Sequence, residues 1–424
     1  MGNSRAAHVL AGLDARLPAL ERLYVDLHRH PELAFAETRT AAVVARRLRA
    51  DGYTVHTGIG GTGVAGVLRR GDGPTVLLRA DMDALPVEER TGLAYASTAR
   101  AVDTEGRQVP VMHACGHDMH VTWLCGAASL LAEVRASWSG TLVAVFQPAE
   151  EVGRGARAMI DDGLFDRVGT PDVVFGQHVT PAPAGWVLTR PDVLMAATDA
   201  LRVTLHGRGG HGSRPETTVD PAVLAASVVL RLQTIVSREL AATEQAVVTV
   251  GSLHVGSAHN VIADDATLDL DIRSFTPEVR TRVLAAVERI VRAEADAAAA
   301  SRPPDITPIA SFPVTRNDPA ATERVRAAFE EHFPDGRVWD APLITGSEDV
   351  GDFGAAAGAA SVFWLVGGGD ERRVLDALAT GRFETDVPSN HSSLFAPVPH
   401  PTLRTGVEAL VVAALDRLRA PGVA

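Results

Sequence analysis

Only two cysteines, Cys115 and Cys125, occur in 424 residues, which excludes a fold stapled by disulfides and leaves each thiol needing its own account. Basic residues are in deficit: 40 Lys and Arg stand against 52 Asp and Glu, for a net charge of −12. That balance argues against nucleic acid or an anionic membrane as a partner. No apolar run approaches the roughly 18 residues of a membrane span. The N-terminal stretch MGNSRAAHVLAGLDARL lacks the apolar core of a secretory signal and reads as an amphipathic helix, while Ala6 breaks a myristoylation pattern, so the cytoplasm is the expected compartment. What is present is ordinary for a globular chain, with 46% hydrophobic residues, 38 glycines and 25 prolines. The length exceeds that at which one core stops growing, so two domains are expected.

Runs rich in Val, Leu and Phe at Gly63–Leu68, Thr75–Arg79, Thr141–Gln147, Asp172–Gly176 and Ala360–Val366 are separated by helical stretches and read as buried strands of a mainly parallel α/β sheet. The middle of the chain follows another pattern. Leu201, Val203 and Leu205 alternate, Pro221–Arg238 is helical, Ala246–Val250 and Leu268–Ile272 have period-two patterning, Glu278–Ala299 is helical, and Thr307–Phe312 is a last strand. That βαββαβ order describes a ferredoxin-like α+β unit. It predicts a discontinuous metal-bearing domain over 1–195 and 312–424, interrupted by an inserted domain over 196–311.

The metal expectation starts at His113-Ala-Cys115-Gly-His117-Asp118, where a thiol and an imidazole stand two residues apart with a glycine between them. Thiolate and neutral imidazole are the donors that zinc and its neighbours prefer. Glu150-Glu151, His178 and His391 follow or adjoin strand-like runs, and Asp81 and Asp83 follow another, where an open α/β sheet places its site. Cys115, His117, Glu151, His178 and His391 make five donors, enough for two ions with one donor shared. Glu150 is then free to act as a base, since neighbours at a strand end point in different directions. Singly, each group reads as readily as a structural or solvated residue; their joint occurrence carries the metal reading. Cys125 reads as a core residue, and the helical run Glu37–Leu48 as structural, with His30 ahead of it a candidate for the sheet top.

These motifs resemble the M20 metallopeptidases, and within them the amidohydrolase branch of N-acyl-amino-acid amidohydrolases, hippurate hydrolases and auxin-conjugate hydrolases. The resemblance runs from Leu27-His28-Arg29-His30-Pro31-Glu32 through Arg79–Pro86, Met112–Asp118, Pro148–Glu151 and Gly209–Gly212 to Ser347-Glu348-Asp349 and Asn390-His391-Ser392. It implies a hydrolase with two divalent ions, Zn2+ being the expected metal and Mn2+, Co2+ or Ni2+ the alternatives. Cys115 would bridge them, with Glu151 and His391 on one ion and His117 and His178 on the other, and Glu150 as general base. In the wider family a metal-binding histidine stands where this chain has Asp81 and a bridging aspartate near Cys115. The amidohydrolase branch shows the same replacement, which makes Asp81 and Asp83 residues that orient a ligand histidine. Glu348 and Asp349 are expected to support the site in the same way.

The resemblance also implies that the inserted domain closes on the substrate and forms a homodimer. It makes His211 a donor to the scissile carbonyl in the partner's site, and Asn260 and Arg273 contacts to the substrate carboxylate. The implied reaction is hydrolysis of N-acyl-amino acids to a carboxylic acid and an amino acid. A dipeptidase or aminopeptidase of the same family is the alternative, and a non-catalytic small-molecule binding relative a more distant one.

Overall fold

The structure, a computed structural model, describes residues 2–420. Its contacts divide the chain into two compact units, one of Met1–Leu194, Arg316–Pro342 and Asp349–Ala424, the other of Met195–Thr315 and Leu343–Glu348. The short return Leu343–Glu348, left by sequence with the metal-bearing part, joins the second unit because the backbone of Ala196 donates to the carbonyls of Ile344 and Gly346.

The first unit is built on an eight-stranded sheet. Its four middle strands, Gly140–Gln147, Thr75–Asp81, Val173–Pro183 and Ala360–Gly369, lie side by side and parallel. An antiparallel pair, Thr54–Ile59 and Gly63–Arg70, flanks Gly140–Gln147, and the short strands Val187–Thr189 and Val338–Asp340 close the other edge. The middle strands are buried almost without alternation, as strands covered by helices on both faces must be. Their C-terminal ends lead into Met82–Asp83 and Pro148–Glu151, so the topology gathers those residues at one end of the sheet. The nearly fully buried helix His117–Glu133 packs its Met119, Trp123 and Leu124 into the same core as Leu403, Val407 and Leu410 of the C-terminal helix.

The second unit has four antiparallel strands in the order Ala246–Val255, Asp265–Ser274, Ala197–His206, Asp305–Phe312. Alternate residues of Asp265–Ser274 are buried, packing Leu268, Leu270 and Ile272 with residues of the helices Pro221–Thr234 and Pro277–Ala297. Asp220 and Thr276 cap those helices and a proline follows each cap, the usual chemistry of a helix start. Pro221–Glu239, at a mean hydropathy of 1.2, is long and apolar enough by length and composition alone to cross a membrane. It buries Leu224, Ala225, Val228, Leu232 and Ile235 in its own unit and leaves Val223 and Leu230 exposed.

Candidate metal and catalytic site

Gly116 turns the chain between the first two candidate donors. Its φ of +84° is left-handed, and a Cβ there would approach a Val179 methyl to 2.3 Å, so only glycine fits. The helix begins at His117. Cys115 Sγ lies 3.4 Å from Nε2 of His178. His178 sits inside the strand Val173–Pro183, not after its end as expected, because pairing with Ala360–Gly369 carries the ladder past it. On its other side the register with Thr75–Asp81 ends at Arg79 and Gly176, which leaves His178 level with Asp81. His178 Nδ1 donates to the Val179 carbonyl at 2.7 Å, so its Nε2 presents a lone pair to the thiol.

His117 Nδ1 is 3.2 Å from Asp83 Oδ1. Its Nε2 is buried without a hydrogen-bond partner, 3.8 Å from a Glu150 oxygen and 3.7 Å from Glu151 Oε1. The adjacent glutamates therefore converge on one imidazole, contrary to the expectation that they diverge: the chain leaves the strand through Ala149 at φ +52°, so the strand's alternation does not reach them. Glu151 Oε2 lies 3.3 Å from His391 Nε2, Glu151 Oε1 is a second buried atom without a hydrogen-bond partner, and the Glu151 amide donates to Asp83 Oδ2 at 3.0 Å. His391, at φ +70°, is held by its amide on the Ala114 carbonyl. The Asn390 side chain donates to the carbonyls of Cys115 and Val179 at 3.2 Å each. Among the described residues, donor sets within 4.8 Å join Asp81 to His117 and His120, His117 to Glu150 and Glu151, and Glu150 to Glu348 and Asp349; two more hold the thiol, Cys115 with His117 and His178, and Cys115 with Glu151 and His391. Cys115 belongs to both.

Around these lies a scaffold of buried polar groups. Asp83 holds the His117 ring and the Glu151 backbone at once. Asp81 reaches past His117, at 3.8 Å, to bond His120 Nδ1 at 2.5 Å, and accepts from Arg79 at 2.6 Å. His120 Nε2 accepts the Val179 amide at 2.8 Å, so both its nitrogens are committed. Sequence reading missed His120, although its place one helical turn after His117 was a usable signal. Asp349 accepts from Gln147 at 2.7 Å, Arg79 at 3.1 Å and the Ala156 amide at 3.1 Å. His30 is not gathered: it is exposed and bonds the Asp26 carbonyl.

Burial pushes the Cys115 thiol well up, and the charges of Glu151 and Glu150 push it further, so a cation is needed to make it a thiolate. Burial, helped by His120, holds His178 well below the usual imidazole range, which leaves it neutral and able to coordinate. Burial opposes charge on His117, yet Asp81, Asp83 and Glu151 raise it to about 10, a mark of a strongly anionic site.

The chain matches Peptidase family M20/M25/M40 over residues 77–379. It belongs to that family. Hippurate hydrolase of Campylobacter jejuni is 38% identical over 336 residues, covering 78% of this chain and 84% of the relative. N-acetyl-L-cysteine deacetylase of Bacillus subtilis is 38% identical over 346 residues, covering 80% and 78%. The crystal structure of Bacillus subtilis YXEP protein, described as a dinuclear metal binding peptidase from the M20 family, superposes with a TM-score of 0.73 at 27% identity over 95% of this chain and 98% of that one. The relatives place this chain on the family's amidohydrolase branch, and it is an enzyme of that kind.

In the second unit, His211 is exposed and its Nδ1 accepts from the Ser213 amide at 3.1 Å. That bond assigns the remaining proton of a neutral ring to Nε2. Asn260 is tied to the same turn, accepting the Gly212 amide at 2.8 Å on its backbone oxygen. Arg273 departs from the simple expectation of an open fork: Asp271 accepts from its Nε at 2.6 Å and from an Nη at 2.7 Å, an i, i+2 pair on one strand face that the alternation of Asp265–Ser274 already implied.

The motif containing His30 contributes differently, through His28. Fully buried, it bonds Asp118 at 2.7 Å and Glu89 at 3.1 Å. Burial alone would lower its pKa, but the two carboxylates raise it to about 10. A histidine raised in the folded state contributes stability that is fully present below about pH 6.5 and is lost as pH rises toward 10. The chain has no lysine, and His117, likewise raised to about 10, shares that window. Urea midpoints should therefore fall between pH 7 and 9.5, and His28→Gln should be less stable at pH 7 with a flatter profile. An equally steep profile in the variant would remove His28 as the source.

Proposed function

We propose that this enzyme hydrolyses the amide bond of N-acyl-amino acids, releasing a carboxylic acid and a free amino acid, with two divalent ions held by Cys115, His117, Glu151, His178 and His391. The observation that carries the reading is the pair of donor sets sharing Cys115, with Glu150 beside them and two buried atoms, His117 Nε2 and Glu151 Oε1, that no hydrogen bond meets. Buried polar atoms are costly when unmet, and this thiolate, imidazole and carboxylate set suits Zn2+, with Mn2+, Co2+ and Ni2+ also able to use it. Cys115 is assigned to both ions, Glu151 and His391 to one, His117 and His178 to the other. When bound, such ions acidify a water and polarise a carbonyl.

The protein's own groups do the rest. Glu150 takes the proton of the attacking water and passes it to the amine nitrogen as the C–N bond breaks. Asp83 keeps His117 and the Glu151 backbone in mutual register, and Asp81 fixes His120 behind them. His211, donating through Nε2, is assigned to the oxygen of the scissile carbonyl. The assembly proposed to supply it is a homodimer formed through the inserted unit, supported by the exposed Val223 and Leu230 on one of its helices and Val247 and Leu253 on its edge strand. Two free, buried cysteines accord with a reducing compartment such as the cytoplasm.

Asn260 and Arg273 are assigned to the α-carboxylate, which must compete with Asp271 for the guanidinium. If so, N-acyl-amino acids should exceed the matching N-acyl-amino amides in kcat/KM by at least about tenfold, since an amide supplies no charge to the fork. Steady-state rates on a panel of acids, amides and free dipeptides, with and without added metal, test the reading. Comparable rates on acid and amide would remove the carboxylate contact, and preference for free dipeptides would favour the peptidase alternative.

A further inference from the structure

Glu37 begins a helix it does not cap. It is the N-cap residue of Thr38–Ala50 and its side chain makes no capping bond. Instead it is fully buried and turned toward the loop that carries the two glutamates. A single oxygen, Oε1, accepts the amide of Phe35 at 2.9 Å and that of Ala149 at 2.9 Å; the other meets the Thr62 hydroxyl. Both residues bonded by Oε1 are left-handed without being glycine, Phe35 at φ +61° and Ala149 at φ +52°. Side chains resist that conformation, and it persists where surrounding groups impose it. Ala149 immediately precedes Glu150, and its carbonyl in turn accepts the Gly155 amide at 3.1 Å. Gly155 has no room for a Cβ, which would fall 1.6 Å from the Pro148 oxygen. The loop is thus closed tightly at its far end and fixed at its near end by one carboxylate.

We propose that Glu37 is a positioning residue for catalysis, holding Ala149 in its left-handed turn and thereby aiming the Glu150 carboxylate. This rests on Glu150 being the base. Burial, then the charge of Asp83, pushes the Glu37 carboxyl up to about 7, so near neutral pH the protonated form is well populated and a carboxamide is a fair substitute. Glutamine offers one oxygen to the two amides and an N–H to Thr62, reproducing the bonds; alanine offers nothing.

The test is a set of purified, metal-loaded variants. Glu37→Ala should lower kcat by about 10²-fold, the scale of a misplacement of about 1 Å, with KM and metal content near those of the unmutated enzyme. Glu37→Gln should keep kcat within about threefold, because its acceptor is retained. Adding Ala149→Gly to Glu37→Ala should recover part of kcat, because glycine adopts the turn unaided. An unchanged kcat in Glu37→Ala, a loss of about 10²-fold in Glu37→Gln, or no recovery in the double variant would each overturn the proposal. Should Glu37→Ala fail to fold, a loss of about 10²-fold in Glu37→Gln would still overturn the proposal, and recovery of a folded, active Glu37→Ala/Ala149→Gly double variant would support it. Full activity in Glu150→Gln would sink the prior assignment of the base, a result distinct from any of these.

Discussion

Glu150→Gln is expected to lower kcat by about 10²–10⁴, the range of a general acid–base contribution, while metal content and KM stay near their original values. The argument turns on separating two adjacent carboxylates that both approach His117, at 3.8 and 3.7 Å. Glu151 is tied on several sides: His391 at one oxygen, Asp83 on its amide, and Cys115 close enough to influence its ionisation. Its carboxyl is lowered despite burial, chiefly through His391 and His117. Glu150 lies outside the two donor sets that contain Cys115, although it falls within 4.8 Å of His117 and Glu151 in one other set and of Glu348 and Asp349 in another. Glutamine preserves shape but has no basic oxygen able to take a proton and return it. Loss of turnover without loss of metal therefore identifies a base, whereas loss of metal from Glu150→Gln would make Glu150 a ligand. Inductively coupled plasma measurements on dialysed protein, set beside steady-state kinetics, separate the two.

The sheet was legible because the chemistry of parallel strands is written continuously. Leu142 to Phe146 and Val76 to Ala80 are apolar without alternation except at Arg79, and that exception marks the charged scaffold. The inserted unit was legible for the opposite reason, its clean alternation along Asp265–Ser274. Less visible was anything that depends on a side chain meeting backbone from a distant segment. Glu37 looked like the first residue of an ordinary amphipathic helix; only the fold brings Ala149, 112 positions away, to its carboxylate. His120 likewise needed Asp81 and the Val179 amide in place before its role could be seen. The strand containing His178 was read short, whereas the neighbouring middle strand Ala360–Gly369 sustains pairing through Thr180. Arg273 was assigned to the substrate carboxylate on the family resemblance, with a salt-bridged surface group as the alternative, and the fold supplies Asp271 as its partner.

Cys115→Ser is expected to abolish activity through loss of both ions, whereas His178→Ala or His391→Ala should each weaken one. Changes merely outside a ligand sphere cost about 10–100-fold in metal affinity, and replacing a shared direct donor must cost at least that at both positions. Serine keeps the size of the side chain but its hydroxyl is neither soft nor readily ionised, so it cannot replace the thiolate. The surroundings sharpen the contrast. Among Glu150, Glu151 and Asp81 the thiol is held protonated until cations arrive, which means that metal uptake releases its proton and should weaken as pH falls. Metal content after dialysis against a weak chelator, measured at two pH values, gives the decisive numbers: near zero ions for Cys115→Ser, about one for the histidine variants on the two-ion assignment. Retention of both ions in Cys115→Ser would end its bridging assignment and leave the two donor sets with no common member.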